Sequence, residues 1–238
     1  MSESLHGRRV LLVGGSGGIG SALTEALLAQ GLSELIVASR LPRPARAGTT
    51  VETVDVADLA SVRALAGRLA DRPMDAVIHC AGINGRRTLS AADWDVLARR
   101  EIGVNYLGLL NLAASFAPVL ASQRGSCFMA LLSFLSFVNL PSMATYCASK
   151  AAAHSALQAL RATWSPKGVR VCGVYPTAVD TAMSSGLPGP KQSPQDLAQV
   201  VVAALCSDAE TVFPGDAAAA YASFLADPEG LQRRTSGE

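Results

Sequence analysis

Tyr146 and Lys150, in the stretch TYCASKAAAHSALQAL (residues 145–160), stand four residues apart in a helical pattern, so they share one helical face. A phenol beside an ammonium group can hold and pass a proton, because the positive charge favours phenolate and offsets a pKa of about 10. The same spacing also fits a tyrosine at a core edge and a lysine whose stem lies along the surface. Two other stretches carry chemistry. VGGSGGIG, residues 13–20, has the spacing Gly14-x-x-x-Gly18-x-Gly20 and opens a helical pattern, an arrangement in which bare backbone N–H groups can meet a pyrophosphate. Ser39 and Arg40 end the next apolar run with no Asp or Glu beside them. An arginine there suits the 2′-phosphate of NADP(H), where an NAD(H) site usually has a carboxylate; the plainer reading is a solvated strand-end cation. Asp55, in VDVAD, either accepts a hydrogen bond from an adenine amino group or caps the helix starting near Asp58.

The elements that must position these groups are legible as short apolar runs at 10–13, 34–38, 51–54, 76–79, 126–132, 169–174 and, weakly, 211–213. Helical patterns lie between them, near 18–30, 58–70, 90–121, 144–164 and 194–207. Strands that are apolar throughout belong in a sheet covered on both faces. The order therefore predicts an α/β fold: a Rossmann-type, doubly wound parallel β-sheet in three αβα layers, as a single domain over 1–238. Residues 41–48 (LPRPARAG) and 184–194 (SSGLPGPKQSP) are rich in helix breakers and follow strands, where ligands of open α/β sheets sit.

A chain of 238 residues with 50% hydrophobic content can bury a substantial core. A formal charge of +1 with 16% charged residues offers no basic field for nucleic acid. The longest apolar run, CFMALLSFLSFVNL, is interrupted by Ser133, Ser136 and Asn139 and falls short of the roughly 20 residues of a membrane span. No export signal is legible at the N-terminus. The five cysteines, at 80, 127, 147, 172 and 206, are scattered and odd in number, as expected of reduced thiols in a cytoplasmic protein. His6, His79 and His154 have no metal-site spacing.

With the glycine turn, His79-Cys80-Ala81-Gly82, Asn105, Ser133, Tyr146-x-x-x-Lys150 and Pro176-Thr177-Ala178-Val179-Asp180-Thr181 in order, the chain resembles the classical short-chain dehydrogenase/reductase family over roughly residues 8–181. The resemblance implies an NADP(H)-dependent oxidoreductase that interconverts a ketone or aldehyde and an alcohol, with Tyr146 as general acid or base. Lys150 would support the phenolate and hold the nicotinamide ribose, and Ser133, with Ser136 as fallback, would bond the substrate oxygen. Asn105 would hold a relay water, a buried asparagine bonded to backbone being the structural alternative. Implied cofactor contacts are Gly14, Ser16, Gly17, Gly18, Ile19, Gly20, Ser39, Arg40, Asp55, Val56, Cys80, Ala81, Gly82, Tyr146, Lys150, Pro176, Thr177, Val179 and Thr181, with no metal.

Several residues depart from the family pattern. Val13 replaces a threonine, and His79-Cys80 replaces Asn-Asn, so a bond between central strands is either missing or remade by His79. Thr177 replaces a glycine and would tighten the nicotinamide pocket. Trp94 and Asn105 are about one helical turn farther apart than usual. Phe134, Phe137, Met143, Met183 and Leu187 would wall a hydrophobic carbonyl or alcohol substrate, with no arginine or lysine clearly placed for a substrate carboxylate. Leu107, Leu109, Leu110 and Leu112 suggest a homodimer face. Past residue 207 the family pattern fades, and LQRRTSGE (about 228–238 with its flank) reads as a frayed tail. A non-catalytic NADP(H)-binding sensor or scaffold is the alternative function.

Overall fold

The computed structural model describes residues 4–41 and 44–237; Pro42 and Arg43, in the breaker-rich segment after the second strand, lie outside them. Among the described residues, seven strands form one sheet: β1 (Arg9–Val13), β2 (Glu34–Ser39), β3 (Thr49–Thr53), β4 (Ala76–His79), β5 (Cys127–Leu131), β6 (Arg170–Val174) and β7 (Thr211–Val212). Their order is β3-β2-β1-β4-β5-β6-β7, and every pairing is parallel. The helices are α1 (Gly18–Leu28), α2 (Leu59–Leu69), α3 (Trp94–Glu101), α4 (Gly108–Ala121), α5 (Ala144–Trp164), α6 (Pro194–Leu205), α7 (Ala217–Ala226) and α8 (Pro228–Ser236).

Alternate strand residues serve opposite faces. Leu11, Val13 and Val77 pack under α2, α4 and α5, while Val10, Leu12 and Ile78 pack under α1 and α6. This is the doubly wound, three-layer arrangement expected, and it explains why the strands read as unbroken apolar runs. The strand order reverses between β1 and β4, so a crevice opens beyond their C-terminal ends.

The opposite end is tied by charge. Arg9, 5% exposed, donates from Nε to Glu34 (2.7 Å) and from Nη1 to the carbonyls of Leu69 and Arg72 (2.9 Å each). Its backbone N–H donates to Asp75, which also accepts from Arg8.

Three expectations need correcting. The helix expected over 90–121 is α3 and α4 joined by a π-helical stretch, Ile102–Leu107, which contains Asn105. Trp94–Ala121 is long and apolar enough to cross a membrane by length and composition, but Leu109, Leu112, Phe116 and Leu120 are fully buried against the sheet. Leu109 and Leu112 are thus core rather than dimer face; of that set only Leu107 is exposed, and Leu110 is half-buried against the core. The tail is not frayed to its end. Asp227 caps α8 by accepting from Gly230 N (2.8 Å), and Gln232 exchanges two 2.8 Å hydrogen bonds with the backbone of Asn139. Gln232→Ala should cost about 1–2 kcal/mol, roughly the net worth of two hydrogen bonds, and lower Tm by a few degrees in a thermal melt.

Candidate active site

The turn after β1 can take its shape only without side chains. Gly14 has φ +96°, and a Cβ there would stand 2.5 Å from the backbone N of Ala81. At Gly20 a Cβ would meet Gly14 O at 2.1 Å. Gly17 is the N-cap of α1 and offers no side chain to bond its first N–H groups, which leaves them for a ligand. A cleft of about 330 Å³ opens here. Of the expected cofactor contacts, Gly14, Ser16, Gly17, Gly18, Ile19, Gly20, Ser39, Arg40, Asp55, Val56, Cys80, Ala81, Gly82 and Thr181 line it. Arg40 is exposed and has no carboxylate partner among the described residues, and Asp58, not Asp55, caps α2.

Tyr146, Lys150, Pro176, Thr177 and Val179 do not line the cleft, although Lys150 Nζ comes close to Gly82, which does. Pro176 O accepts from Phe134 N (2.8 Å), and Val179 is buried under α6. The Thr177 hydroxyl donates to Asp216, the N-cap residue of α7, so its side chain turns away from the cleft that it was expected to tighten. Ile83, Val104 and Ala182 line the cleft without having been singled out. They are apolar, and nothing in their types distinguishes them from core.

Ser133, Tyr146 and Lys150 come together from two elements. Ser133 follows β5 and accepts from Leu135 N (3.1 Å); Tyr146 and Lys150 lie on the first turns of α5. Ser136, the fallback, has a buried hydroxyl with no partner. Lys150 Nζ lies 5.8 Å from the Tyr146 ring centre and donates to Leu131 O (3.0 Å). Tyr146 and Lys150 are 8% and 4% exposed, and this burial sets their acidity. It pushes the phenol well above its ordinary range; the Ser133 hydroxyl draws it back, while Cys147 and Glu101 push it further up. Burial lowers the Lys150 ammonium to about 8, opposed by Cys80. Desolvation therefore governs the phenol.

Asn105 is held entirely by protein. Its Oδ1 accepts from Ile83 N (2.8 Å), and its Nδ2 donates to Ile83 O and Ser149 Oγ (2.9 Å each), the structural alternative to a water-holding role. His79 does not remake the missing bond: both ring nitrogens are buried without partners. Burial, with Lys150 nearby, lowers its pKa to about 3.

On the substrate side, Met143 packs with Tyr146, Cys147 and Leu187, and Met183 lines the cleft. Phe137 instead sits among His154, Tyr175, Phe213, Tyr221 and Phe224, away from the expected wall. A cation does join two segments that flank the cleft. Arg86, the one non-glycine residue with positive φ (51°) among those described, donates to Ser185 O, so it ties the segment after Ile83 to the one after Met183.

Residues 8–191 match the short chain dehydrogenase family. A short chain dehydrogenase of Burkholderia cenocepacia J2315, solved in complex with NADP, is 34% identical, with a TM-score of 0.91 over 98% of each chain. The galactitol 2-dehydrogenase of Rhizobium johnstonii is 32% identical over 195 residues, 75% of this chain and 74% of its own. A gluconate 5-dehydrogenase of Burkholderia cenocepacia J2315, solved with NADP and tartrate, is 24% identical with a TM-score of 0.82, covering 91% of this chain and 97% of its own; it shows the fold alone.

Proposed function

Because the chain belongs to the short-chain dehydrogenase family, we propose that it is an NADP(H)-dependent oxidoreductase interconverting a small carbonyl compound and its alcohol, folded as one domain over 1–238. What supports this reading is the grouping of Tyr146 with Ser133 and Lys150, the nearness of Lys150 Nζ to Gly82 in the cleft lining, and a glycine turn in the same cleft as Arg40, which has no carboxylate partner among the described residues.

The cradle fits a dinucleotide. The N–H groups opening α1 would meet the pyrophosphate, Asp55 the adenine end, and Arg40 with Ser39 the 2′-phosphate. When bound, the nicotinamide supplies or accepts the hydride. Tyr146 gives its hydroxyl proton to the carbonyl oxygen in reduction and takes it back in oxidation, and Ser133 bonds that oxygen as charge gathers on it. Lys150, held by Leu131 O and still mostly charged at pH 7, steadies the phenolate between turnovers. Met143, Met183 and Leu187 favour an apolar substrate body, with Asn84, which donates to Met143, and Arg86 as the polar groups of the adjoining segment.

Loss of NADPH absorbance with a panel of hydrophobic ketones and aldehydes tests the reading. A protein that binds NADPH yet consumes none with any carbonyl would be a cofactor sensor instead. Arg40→Ala should weaken NADPH binding about 10- to 100-fold, as for a lost charged hydrogen bond, and leave NADH binding within about twofold. Equal losses for both cofactors in fluorescence titration would remove Arg40 from the 2′-phosphate. A homodimer remains part of the proposal, and light scattering at micromolar concentration reads it.

A further inference from the structure

Glu101, the last residue of α3, is the only fully buried carboxylate among the described residues. Its Oε1 accepts from Gly85 N (2.8 Å), and its Oε2 accepts from the Thr145 hydroxyl (2.6 Å). Gly85 belongs to the segment leaving β4 along the cleft, and Thr145 directly precedes Tyr146. Asn105 repeats the pattern four residues on, bonding Ile83 in the same segment and Ser149, four residues after Thr145. Two rungs thus join α3 and its π-helical extension to both the cleft segment and α5. Arg86, adjoining the first rung, carries the tie on to Ser185 O in the segment after Met183.

A buried carboxylate is a costly way to fill space, and an apolar side chain of similar volume is usually as good or better for stability. Packing alone gives no reason for Glu101. We propose that Glu101 is a positioning residue: its carboxylate fixes segment 83–86 to the turn bearing Tyr146 and sets the charge around that phenol. This rests on the reading of Tyr146 as the proton-transferring group. The groups facing Tyr146 are Cys147 and Lys150 from α5, Ser133 from the end of β5, and Glu101 from α3; His79 and Cys80 of β4 stand near Lys150. Glu101 holds the phenol pKa up, so neutralising it should make Tyr146 more acidic.

Two variants of the full chain separate the roles. In Glu101→Gln the amide oxygen can still accept from Gly85 and the amide nitrogen can donate to Thr145, so the rung survives without its charge. Hydrogen exchange of the peptide over 83–88, read in the unliganded protein, should stay within about twofold of the parent. The ionisation limb of kcat/KM for alcohol oxidation should move about 0.5–1 pH unit lower. In Glu101→Ala the same peptide should exchange about 10-fold faster or more, with kcat down about 10-fold and KM for NADPH unmoved. Should that protein not fold, Thr145→Val loses half the rung and should give a smaller rise in exchange. Parental exchange in Glu101→Ala, or in Thr145→Val as its substitute, would overturn the tie. A parental pH limb in Glu101→Gln would overturn the charge effect. If no carbonyl or alcohol is turned over at all, the enzymatic reading fails, while the exchange arm still decides whether Glu101 holds the segment.

Discussion

Tyr146→Phe is expected to lower kcat about 10²- to 10⁴-fold, the range for losing a positioned proton donor, with NADPH binding within about twofold of the parent. The ring packs with Met143 and Cys147, so phenylalanine keeps the packing and removes only the hydroxyl. That hydroxyl is buried beside Ser133, and burial keeps it protonated well beyond neutrality. The state on hand at pH 7 is therefore the acid, which suits reduction; oxidation needs a base and should accelerate as pH rises. Steady-state rates with NADPH and a working ketone check the expectation. A variant retaining more than about a tenth of the parental kcat would remove Tyr146 from the proton transfer.

Acid should destabilise this protein through His79. Its imidazole has an ordinary pKa of 6.5 and is lowered to about 3 in the fold, first by burial and then by Lys150. Between those values the unfolded chain binds one more proton than the native one. Stability therefore rises with pH across this window and is lost as pH falls from about 6.5 towards 3, at up to about 1.4 kcal/mol per pH unit, a few kcal/mol in total. Above the window the contribution is flat. Urea midpoints taken from pH 4 to pH 8 should fall more steeply on the acid side for the parent than for His79→Asn, which has no proton to gain. Parallel curves would show that His79 is already solvated or partnered in solution.

Residue 79 also shows where sequence reasoning stops. An unusual histidine in a central strand was visible, but whether its nitrogens find partners depends on β1 and β5, which no local pattern encodes. What periodicity encodes well came through: α5 runs from Ala144 to Trp164 as expected, and each expected strand is present within two residues at either end. The glycine turn was legible because its chemistry needs missing side chains, and Tyr146 with Lys150 because helical spacing alone puts them on one face. The π-helical turn at Ile102–Leu107 was not, since the hydrophobic rhythm runs on through a change in backbone hydrogen bonding. Nor was the packing of α8, whose Gln232 makes its contacts 93 residues away, at Asn139. Thr177 and Phe137 were placed near the site by position, and both follow stronger local partners, Asp216 and the aromatic group around Tyr175.

The clasp around Arg9 lies at the far end of the strands from every group assigned to chemistry, a separation of about 15 Å for a five-residue strand. Heat tolerance and substrate choice are consequently adjustable by separate sets of substitutions. A lineage carrying this chain could drift at Glu34, Asp71 or Asp75 to suit a warmer or colder habitat without retuning turnover. An engineer could strengthen those ion pairs first and so gain latitude for riskier changes around the mouth.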